Sequence, residues 1–236
     1  MKTNNDAWHY YSQIKYEASR FYSISFAESI QEEKLKEQKQ KDGNTSNSND
    51  VNDDQQNVKA INKKQKILIP EDYGEKMVEM TLAEGSKITA KQRALGRQYI
   101  IHITNAIQGL VQQLQLSDQV TSSESSKTLQ NTLRLMKIWF RHGNFKPIDR
   151  IVRDGIDEIN LKVWINVIPQ LIARIDIKEP LIKQLLIDLL ERLSQKYPQA
   201  LVYSLSVSKK SRTKERREAA EALINKLKLT QGTLIE

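Results

Sequence analysis

Three dense blocks of apolar residues dominate the carboxy-terminal half of this chain. They occupy residues 129–143, 160–176 and 180–208, and apolar side chains recur in them at intervals of three or four. This spacing places the side chains on one face of an α-helix. In the third block the apolar face is broad, so a helix there needs neighbours on both sides; it contains Leu185, Leu186, Leu189, Leu190 and Leu193. The blocks therefore predict short helices that pack on one another.

The lengths of these helices predict how they are arranged. Each covers roughly 15 residues and is followed by a short connection, which favours a stack of antiparallel pairs. The sequence thus predicts an all-α fold, an α-solenoid of the HEAT or tetratricopeptide kind. No 34-residue signature repeat is present, so the prediction rests on helix length and spacing. The predicted helices are 126–142, 145–159, 160–175, 180–196, 199–208 and 213–229.

Individual residues predict where these helices begin, end or bend. Gly143 suits a left-handed helix terminus, and Pro147 fits the first turn of the next helix, where its missing N–H costs nothing. Asn160 and Thr213 are suitable amino-terminal caps because their side-chain oxygens accept from free amides. Pro169 lies inside a helical pattern, so that helix must kink or form as two separate turns.

The amino-terminal part has a different organisation. Apolar spacing predicts one long helix from Trp8 to about Lys41, capped by Asn5 or Asp6. Residues 42–64 are rich in Asn, Asp and Ser and bury too little apolar surface to offset the entropy of ordering, so we expect a disordered linker. We therefore predict three regions: a helix over 1–41, the linker over 42–64, and a helical-repeat array over 65–236.

The first part of that array is less regular. Residues 66–84 are ambiguous, although Pro70 followed by two acidic residues suits the start of a short helix. Thr89 is a suitable cap for a longer helix that runs to about Leu116. A polar loop is expected over 117–126.

Composition excludes several classes of function. The 236 residues include no cysteine, which rules out disulfides, thiolate metal sites and cysteine nucleophiles and fits a reducing compartment. Hydrophobic residues make up 39% and charged residues 28%, and no run reaches the ~18–20 apolar residues of a membrane span. The start, MKTNNDAWHYY, lacks the apolar core of a signal peptide. We expect a soluble cytoplasmic protein without a membrane span.

The formal net charge is +8, and its one local concentration is a basic segment over residues 209–217. Clustered Lys and Arg side chains could bind phosphates. We favour a solvated helix start, because no aromatic residues interleave with the charges, and nucleic-acid binding is therefore not expected. The cations of this basic segment are Lys209, Lys210, Arg212, Lys214, Arg216 and Arg217.

No motif for catalysis, metal or cofactor binding stands out. His9, His102 and His142 are far apart and have no ligand partner at helical spacing. Nucleotide-binding glycine loops, zinc-protease, hydrolase and kinase motifs are absent. A calcium loop over residues 42–53 fails because its sixth and twelfth positions are Asn47 and Asp53. We expect a non-enzymatic chain without a cofactor or metal.

Large and conformationally special residues are the candidate structural anchors. Trp139, Phe140 and Trp164 lie on apolar stripes, and either a protein interface or a buried core would use them. Core packing is favoured because of the stripes. The full set of candidate anchors is Trp8, Trp139, Phe140, Trp164, Pro169, Leu171, Ile172 and Tyr197.

Five segments, in this order, resemble the FAT region of the target-of-rapamycin (TOR) kinases, which belong to the phosphatidylinositol-3-kinase-related family. Residues 164–176 (WINVIPQLIARID) carry the most specific similarity. The others are residues 7–18 (AWHYYSQIKYEA), 95–117, 133–143 (LRLMKIWFRHG) and 197–211 (YPQALVYSLSVSKKS). The resemblance does not extend across residues 31–93.

This resemblance implies the carboxy-terminal FAT region, where tetratricopeptide-like pairs give way to HEAT-like pairs and wrap the kinase domain as a clamp. The implied partners are the kinase domain, the other FAT helices and subunits of TOR complexes, in the cytoplasm or peripheral to endomembranes. No active-site residue of the family can be carried over. Because the rapamycin-binding bundle and the kinase lobes are expected to follow, the chain looks like a fragment.

Two functions from different classes remain open. The first is a non-catalytic helical scaffold segment of a TOR-type serine/threonine kinase, acting in growth and nutrient signalling. The second is a free-standing α-solenoid adaptor that binds an acidic protein or nucleic acid through residues 209–217. Salt dependence that disappears when these cations are neutralised would favour the adaptor.

Overall fold

The computed structural model describes residues 4–42, 73–83, 85–119 and 125–231. All regular structure within these ranges is helical, which confirms the all-α prediction. None of the described helices combines the length and the apolar character that a membrane span requires. The predicted linker lies outside the described residues except for Asp42, which ends the first helix.

Ten α-helices are described, and their bounds follow the apolar spacing closely. The first three are α1 (Asn4–Asp42), α2 (Tyr73–Leu82) and α3 (Ala90–Gln115), and a 3₁₀ turn at Leu116–Gln119 follows α3. The others are α4 (Ser125–His142), α5 (Lys146–Glu158), α6 (Leu161–Ile165), α7 (Ile168–Ile172), α8 (Pro180–Lys196), α9 (Pro198–Lys209) and α10 (Lys214–Gln231).

The chain forms two compact units. The smaller unit comprises Glu17–His102, and the larger comprises Met1–Tyr16 together with Ile103–Glu236. Helices α1 and α3 each contribute residues to both units.

In the smaller unit, a few apolar side chains and several polar contacts hold the helices together. Phe26, Met77 and Tyr99 form its buried core. Gln92 Nε2 donates to Glu33 Oε2 at 2.8 Å, which ties α3 to α1. Arg93 Nη1 donates to the Thr81 carbonyl at 3.0 Å, which ties α3 to the end of α2. Polar contacts thus supplement a small apolar core.

The predicted cap of α3 is present as a reciprocal pair. The Gln92 amide donates to Thr89 Oγ1 at 3.2 Å, and the Thr89 amide donates to Gln92 Oε1 at 2.9 Å. Two amides of the first turn, which have no partner within the helix, are satisfied in this way.

In the larger unit, helix α8 occupies a central position. It packs against α5, α6, α9 and α10. Five of its six leucines are buried, which confirms that the broad apolar face has neighbours on several sides. Helix α9 in turn packs on α7 and α10, and α4 packs on α5 and α6.

Pro169 divides the most specific segment into two short helices. Helix α6 ends at Ile165 and α7 begins at Ile168, with Pro169 in its first turn. Asn160 caps α6 by accepting from the Lys162 amide at 2.9 Å. The expected pair of separate turns is confirmed, since proline has no N–H to continue the helical ladder.

Gly143 ends α4 for a different reason from the one predicted. It does not adopt a left-handed conformation, because Gly85 is the one described residue with a positive φ. A methyl group at Gly143 would lie 2.6 Å from the Trp139 carbonyl oxygen and 2.8 Å from Ile182 Cγ1. Glycine is needed here because α8 approaches the end of α4 closely.

Gly155 marks another close helix approach. A methyl group on this residue of α5 would collide with Val111 Cγ1 on α3 and lie 3.0 Å from Val111 Cγ2. Val111 is buried and β-branched, so it has little freedom to move aside.

Two leucines test the central position of α8. Leu189 has no exposed surface, whereas Leu133 on α4 is 39% exposed. Leu189→Ala should lower the free energy of unfolding by about 2–5 kcal/mol, because it leaves a cavity in the core. Leu133→Ala should change it by about 0.5 kcal/mol or little more. Urea titrations followed by circular dichroism measure both; equal small effects would show that α8 is not buried as described.

The helix approach at Gly155 gives a second prediction. Alanine normally stabilises a helix interior by about 0.5–1 kcal/mol relative to glycine. Here Gly155→Ala should instead destabilise the fold by roughly 1–3 kcal/mol through overpacking. Combining it with Val111→Ala should cost less than the sum of the two single changes. A stabilising Gly155→Ala, measured by chemical denaturation, would contradict the close packing.

Candidate functional site

In the described part of the chain, no three His, Asp or Glu side chains are grouped to hold a metal ion. The candidate functional features are the basic segment and the buried core of the larger unit around Trp139, Trp164, Leu171 and Ile172, which we call the packed seam.

Four of the candidate anchors lie in the seam. Trp139 and Trp164 have no exposed surface, and Leu171 and Ile172 on α7 are at most 1% exposed. The indole N–H of each tryptophan has no hydrogen-bond partner among the described residues. These two rings therefore contribute through apolar contact, which is the larger part of the stabilisation that buried aromatics provide.

Phe140 differs from the expected core residue. It is half-buried and stacks on Trp139 with ring centroids 4.8 Å apart, while the Arg174 guanidinium lies 5.7 Å from its ring centre. Consecutive residues of a helix point about 100° apart, so Trp139 and Phe140 cannot both face the core. Phe140 instead covers the outer side of the buried tryptophan.

The other three candidate anchors also retain exposed surface. Trp8 is half-buried and packs edge-on against Tyr11, with centroids 5.6 Å apart. Tyr197 is half-buried between α8 and α9, and its amide donates to the Leu193 carbonyl at 2.7 Å. Pro169 is exposed, so its effect comes from the backbone and not from side-chain contact.

A buried polar cluster in the larger unit was not predicted from the sequence. Asn131 Nδ2 donates to Gln113 Oε1 at 2.7 Å and lies 3.0 Å from His9 Nδ1. Asn131 and Gln113 are almost fully buried, and Asn131 Oδ1 has no partner among the described residues. Helical spacing gives no signal for this cluster, because the neighbours of Asn131 three and four residues away are Lys127, Thr128, Arg134 and Leu135. The cluster links α1, α3 and α4, and it specifies which helices meet.

His142 is buried at the end of α4. Burial, with the neighbouring Arg141 charge as a smaller cause, lowers the pKa of His142 from 6.5 to about 4. The imidazole is therefore neutral at physiological pH.

Most cations of the basic segment have partners within the larger unit. Arg216 Nη2 donates to Asp176 Oδ1 at 3.1 Å and to the Ala173 carbonyl at 2.8 Å, which ties α10 to the end of α7. Arg217 Nη1 donates to the Ser211 and Arg212 carbonyls at 2.9 and 3.0 Å. Arg217 therefore holds the turn between α9 and α10, whereas Arg216 joins α10 to the end of α7.

The other four cations of the basic segment divide into two groups. Lys214 pairs with Glu218 at 3.6 Å, and Lys209 approaches Glu221 at 4.0 Å. Lys210 and Arg212 are exposed and have no side-chain partner among the described residues. The free positive charge of this segment is thus smaller than its sequence implies.

Comparison with known families places a HEAT-repeat match over the second half of the chain. The family described as serine/threonine-protein kinase ATR-like, HEAT repeats, matches residues 147–235. This range begins in α5 and includes α6 to α10, which form most of the packed seam.

Curated relatives include several TOR kinases. The chain is 41% identical over 109 residues to the Drosophila melanogaster serine/threonine-protein kinase mTor, which covers 46% of this chain and 4% of that protein. The chain is 33% identical over 135 residues to the Saccharomyces cerevisiae kinase TOR2, and this match covers 57% of the chain and 5% of that kinase. The chain is 27% identical over 188 residues to the rice kinase TOR, and this match covers 79% of the chain and 8% of that kinase. The chain therefore spans less than a tenth of the length of these relatives.

The low pKa of His142 predicts a dependence of stability on pH. In the unfolded chain this imidazole binds a proton below about pH 6.5, whereas in the folded chain it does so only near pH 4. Its contribution to stability is therefore complete above pH 6.5 and is lost as the pH falls to 4, by up to about 3 kcal/mol. His142→Gln should flatten the fall in unfolding free energy between pH 7 and pH 4.5. Parallel slopes for the two proteins would contradict the assignment.

Proposed function

Because this chain contains a TOR-type, HEAT-like segment, we propose that it is a non-catalytic scaffold from the FAT region of a TOR-type serine/threonine kinase. In this role it clamps and supports the kinase domain in growth and nutrient signalling. Its partners are the kinase domain, neighbouring FAT helices and subunits of TOR complexes, and it acts in the cytoplasm or peripherally on endomembranes. The chain itself transfers no phosphate.

The observation that carries this proposal is the continuous packing of the larger unit. Helix α8 contacts four other helices, and five of its leucines are buried. Interiors packed at this density deform little, so a displacement at one end is passed to the other through the helices. A clamp needs this stiffness, and it needs no catalytic group.

The candidate anchors have distinct parts in this proposal. Trp139, Trp164, Leu171 and Ile172 fill the core, and Phe140 and Tyr197 cover its edges. Pro169 keeps α6 and α7 as separate short helices. Trp8 stabilises the start of α1 through its contact with Tyr11.

The adaptor function has narrower support. Arg216 and Arg217 are used within the fold, and nearby carboxylates partly offset the charges of the exposed Lys209 and Lys214, which weakens a phosphate-binding surface here. Lys210 and Arg212 have no such partner among the described residues. A scaffold therefore accounts for more of the described residues than a basic adaptor does.

A chimeric kinase tests the scaffold role. The segment of Drosophila mTor that matches this chain would be replaced by the corresponding segment from this chain, with and without Trp164→Ala. We expect the unmodified chimera to phosphorylate a peptide substrate. Trp164→Ala should reduce this activity and lower the melting temperature of the kinase, because the clamp loses its core.

The control is the same chimera with Leu133→Ala, at an exposed position of α4, which should retain activity. Full activity in the Trp164→Ala chimera, with its helical segment shown to be unfolded by hydrogen exchange, would mean that the segment does not support the kinase domain.

A further inference from the structure

Helix α9 presents an exposed apolar pair in the larger unit. Tyr203 is 79% exposed and Val207 is 55% exposed, and they are four residues apart, so they lie one above the other on the same face. The opposite face of α9 is buried through Leu201 and Leu205. The apolar pair is therefore not part of the core.

The two unpaired cations of the basic segment follow directly after this pair. Lys210 is seven residues after Tyr203, which is two helical turns, and it lies just beyond the end of α9. Arg212 is in the turn that follows. No carboxylate occurs between Pro198 and Thr213, and Glu215 on α10 is the first acidic residue after them. Glu221 on α10 approaches Lys209 at 4.0 Å, whereas Lys210 and Arg212 have no acidic partner among the described residues. These two cations therefore supply the positive charge that follows the exposed apolar pair.

From this arrangement we propose that Tyr203, Val207, Lys210 and Arg212 form a docking surface for an acidic amphipathic helix. The partner helix places its apolar side chains on Tyr203 and Val207, and its carboxylates pair with Lys210 and Arg212. Tyrosine and arginine are frequent hot-spot residues because each combines a large contact area with a polar end. This proposal goes beyond the scaffold role and does not rest on it.

Charge complementarity favours an acidic protein helix over nucleic acid. Two free cations give a weak phosphate-binding surface, since affinity for nucleic acid grows with the number of phosphates neutralised. An apolar pair in helical register, in contrast, matches apolar residues spaced three or four apart on a partner helix.

The test uses the full chain and a labelled 18-residue peptide with leucines on one helical face and glutamates on the other. Fluorescence anisotropy gives its dissociation constant. Tyr203→Ser with Val207→Ser, and separately Lys210→Glu with Arg212→Glu, should each weaken binding about tenfold or more. All four residues are exposed, so circular dichroism should show unchanged folding.

A matched control and two competing probes make the result decisive. Lys162→Glu with Lys183→Glu changes the net charge equally at exposed positions elsewhere, and it should alter the dissociation constant less than about twofold. A peptide with lysines in place of the glutamates should not bind.

Three results would overturn the proposal. One is absence of binding by the acidic peptide, and another is equal weakening by the control pair. The third is binding of a single-stranded oligonucleotide through Lys210 and Arg212, together with peptide binding that the serine variants leave unchanged. That result would assign the surface to nucleic acid.

Discussion

The burial of α8 on several sides is the constraint on which the rest of this structure depends. Most of the stability of a helix in a protein comes from tertiary packing of its apolar face, and α8 has 17 residues to pack. Five leucines of α8 are buried at once, and each requires a neighbouring helix. The positions of α5, α6, α9 and α10 follow from this requirement.

Polar contacts fix the arrangement but contribute less to stability. Arg192 on α8 donates to Asp157 Oδ1 at 2.7 Å, in the last turn of α5. Arg216 joins α10 to Asp176 and to the Ala173 carbonyl. These pairs are partly exposed, and exposed ion pairs typically contribute about 0–1 kcal/mol. These contacts are directional, so each arginine fixes the position of its own helix relative to the helix that it contacts, which apolar packing alone specifies less closely.

The helix bounds and the all-α class were predictable because they depend on local signals. Apolar period, Asn160, Thr89, Pro147 and Pro169 act within a few residues of their own position, and the structure confirms them. The break at Pro169 was predictable for the same reason. The resemblance to TOR kinases could also be identified from short segments of sequence, and the comparisons support it.

The details that were missed depend on contacts between distant residues. Gly143 and Gly155 are required by the approach of Ile182 and Val111, which local sequence does not reveal. Apolar spacing did not show that Phe140 would remain half-exposed beside Trp139. The partners of Asn131 and Arg216 are 18 and 40 residues away, so the spacing of a single helix contains no sign of them.

Native-state hydrogen exchange tests the central claim most directly. If α8 is the common packing partner of the larger unit, its amides around Leu189 should exchange only through global unfolding, together with those of α5 and α9. Their opening free energies should equal the free energy of unfolding measured with denaturant. Exchange of α8 through a local opening, while α5 and α9 stay protected, would show that the helices pack without it and would contradict the account.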